Sequence, residues 1–226
     1  MHIWAVGDLH LSFDENFRLQ KPMEAFGAAW LEHPRKIAAS WQAQVADEDI
    51  VLICGDTSWA LKPEEAVYDL AWLKNLPGHK LIIKGNHDFW WGGIEKTKKF
   101  LSPILPLYNN ALFFENYAFC GARGYRAEQD GFDAKLAARE YQRLKKSLEL
   151  GEKSGRDIIL LLHYPPYNQD GSANIFTDLI KNYPLKAVIY GHLHKNENNI
   201  IIPCIDNIPL YLVSADYLDF KLQMIF

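Results

Sequence analysis

Little in this chain is extreme, and what is scarce narrows the field. Its 226 residues include three cysteines, Cys54, Cys120 and Cys204, widely spaced and odd in number. They suit neither a disulfide framework nor a zinc–thiolate cluster, and the cytoplasm is the expected compartment. The longest unbroken aliphatic stretch, Ile158-Ile159-Leu160-Leu161-Leu162, falls far short of the roughly 20 residues that span a bilayer. The opening residues Met1-His2-Ile3-Trp4-Ala5-Val6 place no basic region before an apolar core, so no signal peptide is expected. An excess of positive charge is also missing, with 24 Lys+Arg against 28 Asp+Glu and a net charge of -4. Proteins that live on phosphate-backbone contacts usually carry a basic face. Here the basic runs are Lys96-Thr97-Lys98-Lys99 and Arg143-Leu144-Lys145-Lys146. Both fall in helical patterns and read as solvated faces. Neither strong nucleic-acid binding nor membrane attachment is expected. With no Gly/Ser-rich stretch, repeat or low-complexity tract, residues 1–226 are expected to form one domain, and nothing in them sets an oligomeric state.

What is present is an alternation of short apolar runs with helical patterns, the mark of an α/β arrangement. Strands are predicted at Ile3–Gly7, Ile50–Cys54, Leu81–Lys84, Ala111–Glu115, Tyr117–Gly121, Ile158–Leu162, Ala187–Tyr190, Ile200–Pro203, Leu210–Val213 and Leu222–Ile225. Most are continuous apolar runs, as expected for strands covered on both faces. Ile37, Trp41 and Val45 recur at helical spacing, and Pro63-Glu64-Glu65 is expected to open the next helix. Phe132, Leu136, Tyr141, Leu144 and Leu148 form a longer apolar stripe. The last quarter is strand-rich, which suggests two packed sheets with helices outside.

Five of the eight histidines follow predicted strands. They stand in Gly7-Asp8-Leu9-His10, Gly85-Asn86-His87-Asp88, Leu162-His163-Tyr164-Pro165 and Gly191-His192-Leu193-His194, and a further strand ends in Gly55-Asp56. Ligands of α/β sheets bind outside the carboxyl ends of strands. In Asp8-x-His10 and His192-x-His194, residues two apart on extended chain point the same way. Imidazole, carboxylate and one amide oxygen, without thiolate, suit Mn, Fe, Zn or Co. His2, His33 and His79 lie outside this pattern.

The ordered series Asp-x-His, Gly-Asp, Gly-Asn-His-Asp, His and Gly-His-x-His resembles the calcineurin-like metallophosphoesterase superfamily, and within it the bacterial phosphohydrolases of unassigned substrate. The motifs run from residue 7 to residue 194. The resemblance implies a four-layer α-β-β-α sandwich of two mixed sheets flanked by helices. It implies two divalent transition-metal ions, with Mn and Fe favoured. One would be held by Asp8, His10, Asp56 and His194, and the other by Asp56, Asn86, His163 and His192. His87 would face the substrate as general acid or charge stabiliser. Asp88 would either hydrogen-bond behind the ligands or cap a nearby helix. The implied activity is hydrolysis of a small-molecule phosphate mono- or diester through a metal-bridging hydroxide. Charge arithmetic agrees: four positive charges, less two for Asp8 and Asp56 and one for hydroxide, leave a positive site for phosphate. Alternatives are a nuclease of the same superfamily and a non-catalytic scaffold like the retromer subunit with this fold.

The chain departs from the Ser/Thr protein phosphatases, which extend Gly-Asp to Gly-Asp-x-x-Asp-Arg-Gly. Here Trp59 and Ala60 replace that Asp and Arg. Arg123, set between small residues after a strand, is the expected substitute for the phosphate-gripping Arg, the other reading being a salt bridge. Trp91 is expected either to wall the pocket or to pack in the core. Tyr164 is expected either to reach substrate or to pack on the Pro165-Pro166 turn.

Overall fold

The computed structural model describes residues 1–126, 133–195 and 198–226. Phe132, the first residue of the apolar stripe, lies outside them. Among these residues, eleven strands form two sheets. The first has the order β11 (Gln223–Met224), β1 (Ile3–Val6), β2 (Ile50–Ile53), β3 (His79–Ile82) and β4 (Leu105–Pro106). The second runs β5 (Ala111–Phe114), β6 (Tyr117–Ala122), β7 (Asp157–Leu162), β8 (Leu185–Tyr190), β10 (Ile208–Leu212) and β9 (Cys204–Ile205). Pairing from β1 to β4, and from β6 through β7 and β8 to β10, is parallel. β11, β5 and β9 close the edges antiparallel. Both sheets are therefore mixed, as the resemblance implies.

The period of two along each strand sorts side chains between layers. Ile3, Ala5, Ile50 and Leu52 face inward, where they meet Phe119, Ile159, Leu161 and Ile189 of the second sheet. Trp4, Val6, Val51 and Ile53 face outward onto Ile37 and Trp41 of α1 (His33–Gln44) and Leu70 and Leu73 of α2 (Val67–Lys74). On the other side, Cys120, Ile158, Leu160 and Val188 pack on Leu144 and Leu148 of α4 (Ala134–Lys153) and on Leu179 of α5 (Ile175–Ile180). α3 (Ile94–Leu101) carries the first basic run, with Lys96, Lys98 and Lys99 exposed. The four layers follow from this alternation.

Burial holds α1 in place. Its N-cap Glu32 makes no side-chain capping bond, which forgoes about 1 kcal/mol. Ile37 and Trp41 are fully buried, worth roughly 1.5–3 kcal/mol for an apolar side chain. α4 has both devices, since the Asp133 carboxylate accepts from the Lys135 and Leu136 amides at 2.8 and 3.1 Å.

Two expected elements differ. Pro63-Glu64-Glu65 forms a turn before α2 rather than its first turn, because Glu65 Oε2 accepts from the Leu61 and Lys62 amides. Ile200–Pro203 is irregular, and the strand is displaced to β9. Asp206 and Asn207, at φ 47° and 68°, make the two-residue turn that joins β9 to β10. Such turns need positive φ at both positions and fix the strand directly ahead of them.

Candidate active site

Because β1, β2, β3, β7 and β8 lie parallel within their sheets, their carboxyl ends share one edge of the sandwich. The sheets are joined there through Gly7, whose amide donates to Val213 O and whose carbonyl accepts from the Ala215 amide. Asp8 and His10 leave β1, Asp56 leaves β2, Asn86 and His87 follow β3, His163 follows β7, and His192 and His194 follow β8.

Asp8, His10, Asp56 and His192 have φ of 54°, 46°, 48° and 71°. Angles of this kind cost about 1–3 kcal/mol each and persist where surrounding contacts over-determine them. The contacts here are backbone bonds from Asp8 N to Gly55 O and from His10 N to Asp56 O, both 2.9 Å, and from His192 N to Asp8 Oδ2 at 3.0 Å. Two glycines permit the close approach. A Cβ on Gly85 would lie 2.1 Å from Asp56 Oδ1, and one on Gly191 would lie 2.3 Å from Asp8 Oδ2.

Two sets of donor atoms converge within 4.8 Å, one from Asp8, His10 and His194 and the other from Asp8, Asp56 and His163. Asp56 Oδ2 reaches both sides, 4.0 Å from His10 Nε2 and 3.6 Å from His163 Nε2. Burial pushes the His163 imidazolium down to about 3 and lowers His10 well below the usual range, so both rings are neutral near pH 7. A neutral imidazole has one N–H. His163 Nδ1 lies 2.9 Å from Cys54 O and Nε2 lies 2.6 Å from Asn86 Oδ1. Once Nδ1–H donates to the carbonyl, two lone-pair atoms face each other at Nε2, an arrangement suited to a cation. His10 Nδ1 is buried without a hydrogen-bond partner. Burial, and then the Asp56 charge, raise Asp8 well above the carboxylate range. Neutral imidazoles beside crowded buried carboxylates fit divalent metal ions.

His194 is oriented by a residue that the sequence reading missed. Asp216, after β10, accepts from His194 Nδ1 at 3.0 Å and from the Lys195 amide at 3.0 Å, so Nε2 is the nitrogen that could hold a metal ion. Such carboxylate–histidine pairs fix ring orientation and basicity. In Ser214-Ala215-Asp216 the acid lacks a flanking histidine or glycine, so no motif announced it.

His87 donates its amide to Asp56 Oδ1 at 2.7 Å. Its ring lies 4.5 Å from Trp59 and 5.7 Å from His10. Asp88 is fully buried. Its carboxylate accepts from the amides of Thr57, Ser58 and Gly85 and from Trp90 Nε1, at 2.7–3.2 Å. It ties the Asp56 loop to the Asn86-His87 loop. It does not cap α3, whose N-cap is Gly93.

Two cavities flank the cluster. One, ≈ 320 Å³, is lined by His10, Met23, Phe26, Trp30, Trp59, His87, His194 and Asp216. The other, ≈ 260 Å³ and more polar, includes Asn86, Arg126, Tyr164, Asn168 and His192. A larger depression of ≈ 660 Å³ around Phe17, Arg35 and Trp72 contains none of the ligand residues. Tyr164 lines the polar cavity, its ring 4.4 Å from His192. Two expected substrate contacts line neither of these cavities. Trp91 is 5% exposed, packs in the core against Trp90 and lines neither cavity; Phe26, Trp30 and Trp59 line the first. Arg123 also lines neither cavity. Buried Glu140, shared with Arg143, lies 3.6 Å from its Nη2, while its carbonyl accepts from the His163 and Tyr164 amides. Arg126 lines the polar cavity.

A two-sheet sandwich that pools carboxylates, imidazoles and an amide at one edge has the layout of a metal-dependent hydrolase. A model of the calcineurin-like phosphoesterase family matches residues 1–196. The chain belongs to that family, whose members hydrolyse phosphoesters with divalent metals. It is 38% identical over 88 residues to the Gene 66 protein of Mycobacterium phage D29, covering 38% of this chain and 40% of that protein. Against the Gene 66 protein of Mycobacterium phage L5 it is 24% identical over 191 residues, 84% of this chain and 76% of that protein. Among solved structures, the phosphopantetheinyl hydrolase PptH of Mycobacterium tuberculosis superposes at TM-score 0.61 with 13% identity, over 100% of this chain and 95% of that one. GAP50, the anchor in the inner membrane complex of Plasmodium, does so at 0.54 with 12% identity, over 96% and 72%. These likenesses establish the fold; a hydrolase and an anchor share it.

Proposed function

We propose that the chain hydrolyses small phosphate mono- or diesters at a binuclear metal site. The observation that carries this reading is the convergence of Asp8, His10 and His194 on one side and of Asp8, Asp56 and His163 on the other, with Asn86 against His163, His192 beside them and His87 at the cavity wall. Asp56, between His10 and His163, is the residue we assign to both ions. Two bound divalent ions, Mn or Fe by preference, would supply Lewis acidity and an activated water. The protein does the rest. Burial keeps His10 and His163 neutral and available, Asp216 orients His194, and Asp88 holds the Asp56 and His87 loops in register. His87 would give a proton to the leaving oxygen.

The test combines elemental analysis with turnover. Wild-type protein loaded with Mn²⁺ is expected to hold two ions per chain and to hydrolyse p-nitrophenyl phosphate or its bis-ester. Asp56→Asn is expected to lower occupancy of both sites, and His10→Ala mainly of one. Full occupancy in Asp56→Asn would remove the shared-ligand assignment, and an inactive, fully loaded wild type would remove the hydrolytic one.

A further inference from the structure

Resting on that hydrolytic reading, we infer that the ≈ 320 Å³ cavity beside His87 receives the leaving group, and that this group carries an aromatic ring. In the reaction, water adds to phosphorus and gives up a proton, the bond from phosphorus to the leaving oxygen breaks, and that oxygen takes a proton from His87. The departing alcohol must therefore lie on the His87 side. Of the two cavities flanking the cluster, the one lined by His87 is this one; the polar cavity around Arg126 and Tyr164 is not.

The lining then identifies the chemistry. One wall is His10, His87, His194 and Asp216, and the other is Met23, Phe26, Trp30 and Trp59. Two short 3-10 turns, Met23–Phe26 and Ala28–Trp30, supply three of those four apolar side chains. The wall is fixed in advance. Trp59 Nε1 donates to Met23 Sδ at 3.2 Å, and the indole lies between the His10 ring at 4.8 Å and the Lys21 ammonium at 4.0 Å. Trp30 meets His10 edge-on at 5.8 Å. Beside this fixed wall Phe26, 60% exposed, has a ring left open to solvent. Phe89, 58% exposed, packs edge-on against the His87 ring at 6.2 Å. Three aromatic rings lining one cavity, Phe26 open among them, favour an aromatic occupant in T-shaped or offset packing over an aliphatic one. A cavity at the lower end of the usual ligand range of about 300–1,000 Å³ accommodates one or two rings.

Calorimetric titration of the Mn²⁺-loaded protein with benzylphosphonate, cyclohexylmethylphosphonate and methylphosphonate tests this without turnover. Benzylphosphonate is expected to bind at least about tenfold tighter than methylphosphonate, the scale of one aromatic stack, and measurably tighter than the cyclohexyl compound. Phe26→Ala, at an exposed position, should bring the benzyl-to-methyl ratio down towards one. Phe26→Leu should erase the preference for benzyl over cyclohexylmethyl. Equal binding of benzyl and methyl compounds, no benzylphosphonate binding at millimolar concentration, or an unchanged ratio in Phe26→Ala would overturn the assignment. The two readings fail separately. An aromatic preference in a protein that turns over no ester sinks the hydrolytic reading, whereas turnover without the preference sinks the subsite alone.

Discussion

At the scale of single residues, the site depends on two positions that hold no chemistry. Gly85 and Gly191 leave no room for a methyl group against the Asp56 and Asp8 carboxylates. Gly85→Ala or Gly191→Ala is therefore expected to displace a ligand and lower metal content, although every ligand type is retained; unchanged stoichiometry by elemental analysis would contradict it. His87 makes the opposite case. His87→Ala should keep its metals and lose about 10²–10⁴-fold in turnover, the usual contribution of a general acid or base. The loss should shrink for p-nitrophenol esters, whose leaving oxygen scarcely needs a proton. An equal loss for good and poor leaving groups would instead assign His87 to stabilising charge on phosphate.

At the scale of elements, the loop after β2 is fastened to α2 by a carboxylate that pays a pH-dependent penalty. Asp69 accepts from the Phe13 amide at 2.7 Å and from the Ser58 hydroxyl. Burial, with the Asp88 charge behind it, still raises its carboxyl from 3.8 to about 6. A carboxyl raised on folding favours the protonated native state. Its stabilising share is complete below the ordinary pKa and is lost as pH climbs through about 6. Two units correspond to roughly 3 kcal/mol. With chelator present, so that metal linkage drops out, the stability of Asp69→Asn relative to wild type should rise by up to about that amount between pH 4 and pH 7. A difference that stays flat with pH would show that Asp69 remains ionised throughout.

At the scale of the whole molecule, the net charge of -4 opposes a polyanion, and the exposed Lys96–Lys99 run of α3 is a short one. Binding to random single-stranded DNA at physiological salt is expected to be no tighter than about 10⁻⁴–10⁻⁶ M, the non-specific range. A sub-micromolar, steeply salt-dependent affinity would favour the nuclease alternative. Among the described residues, no helix is long and apolar enough to cross a membrane.

The ligand-type residues were legible in the sequence because each stands directly after an apolar strand, and strand identity is a local property of period and composition. Strand runs such as Ile50–Ile53 and Asp157–Leu162, and the stripe of α4, were legible for the same reason. Asp216 and the apolar wall of Met23, Phe26 and Trp30 were not, because their roles come from distant partners. Asp216 meets His194 across 22 positions, and Met23 meets Trp59 across 36. Arg123 shows the limit from the other side: small neighbours after a strand suggested access to phosphate, yet Glu140 on α4 lies beside the guanidinium. The sequence by itself determined which residue types stand at each strand end. Only the packing of the two sheets decided which of them face one another, because a buried side chain takes its orientation from the nearest unmet charge or cavity, and those are supplied by other parts of the chain.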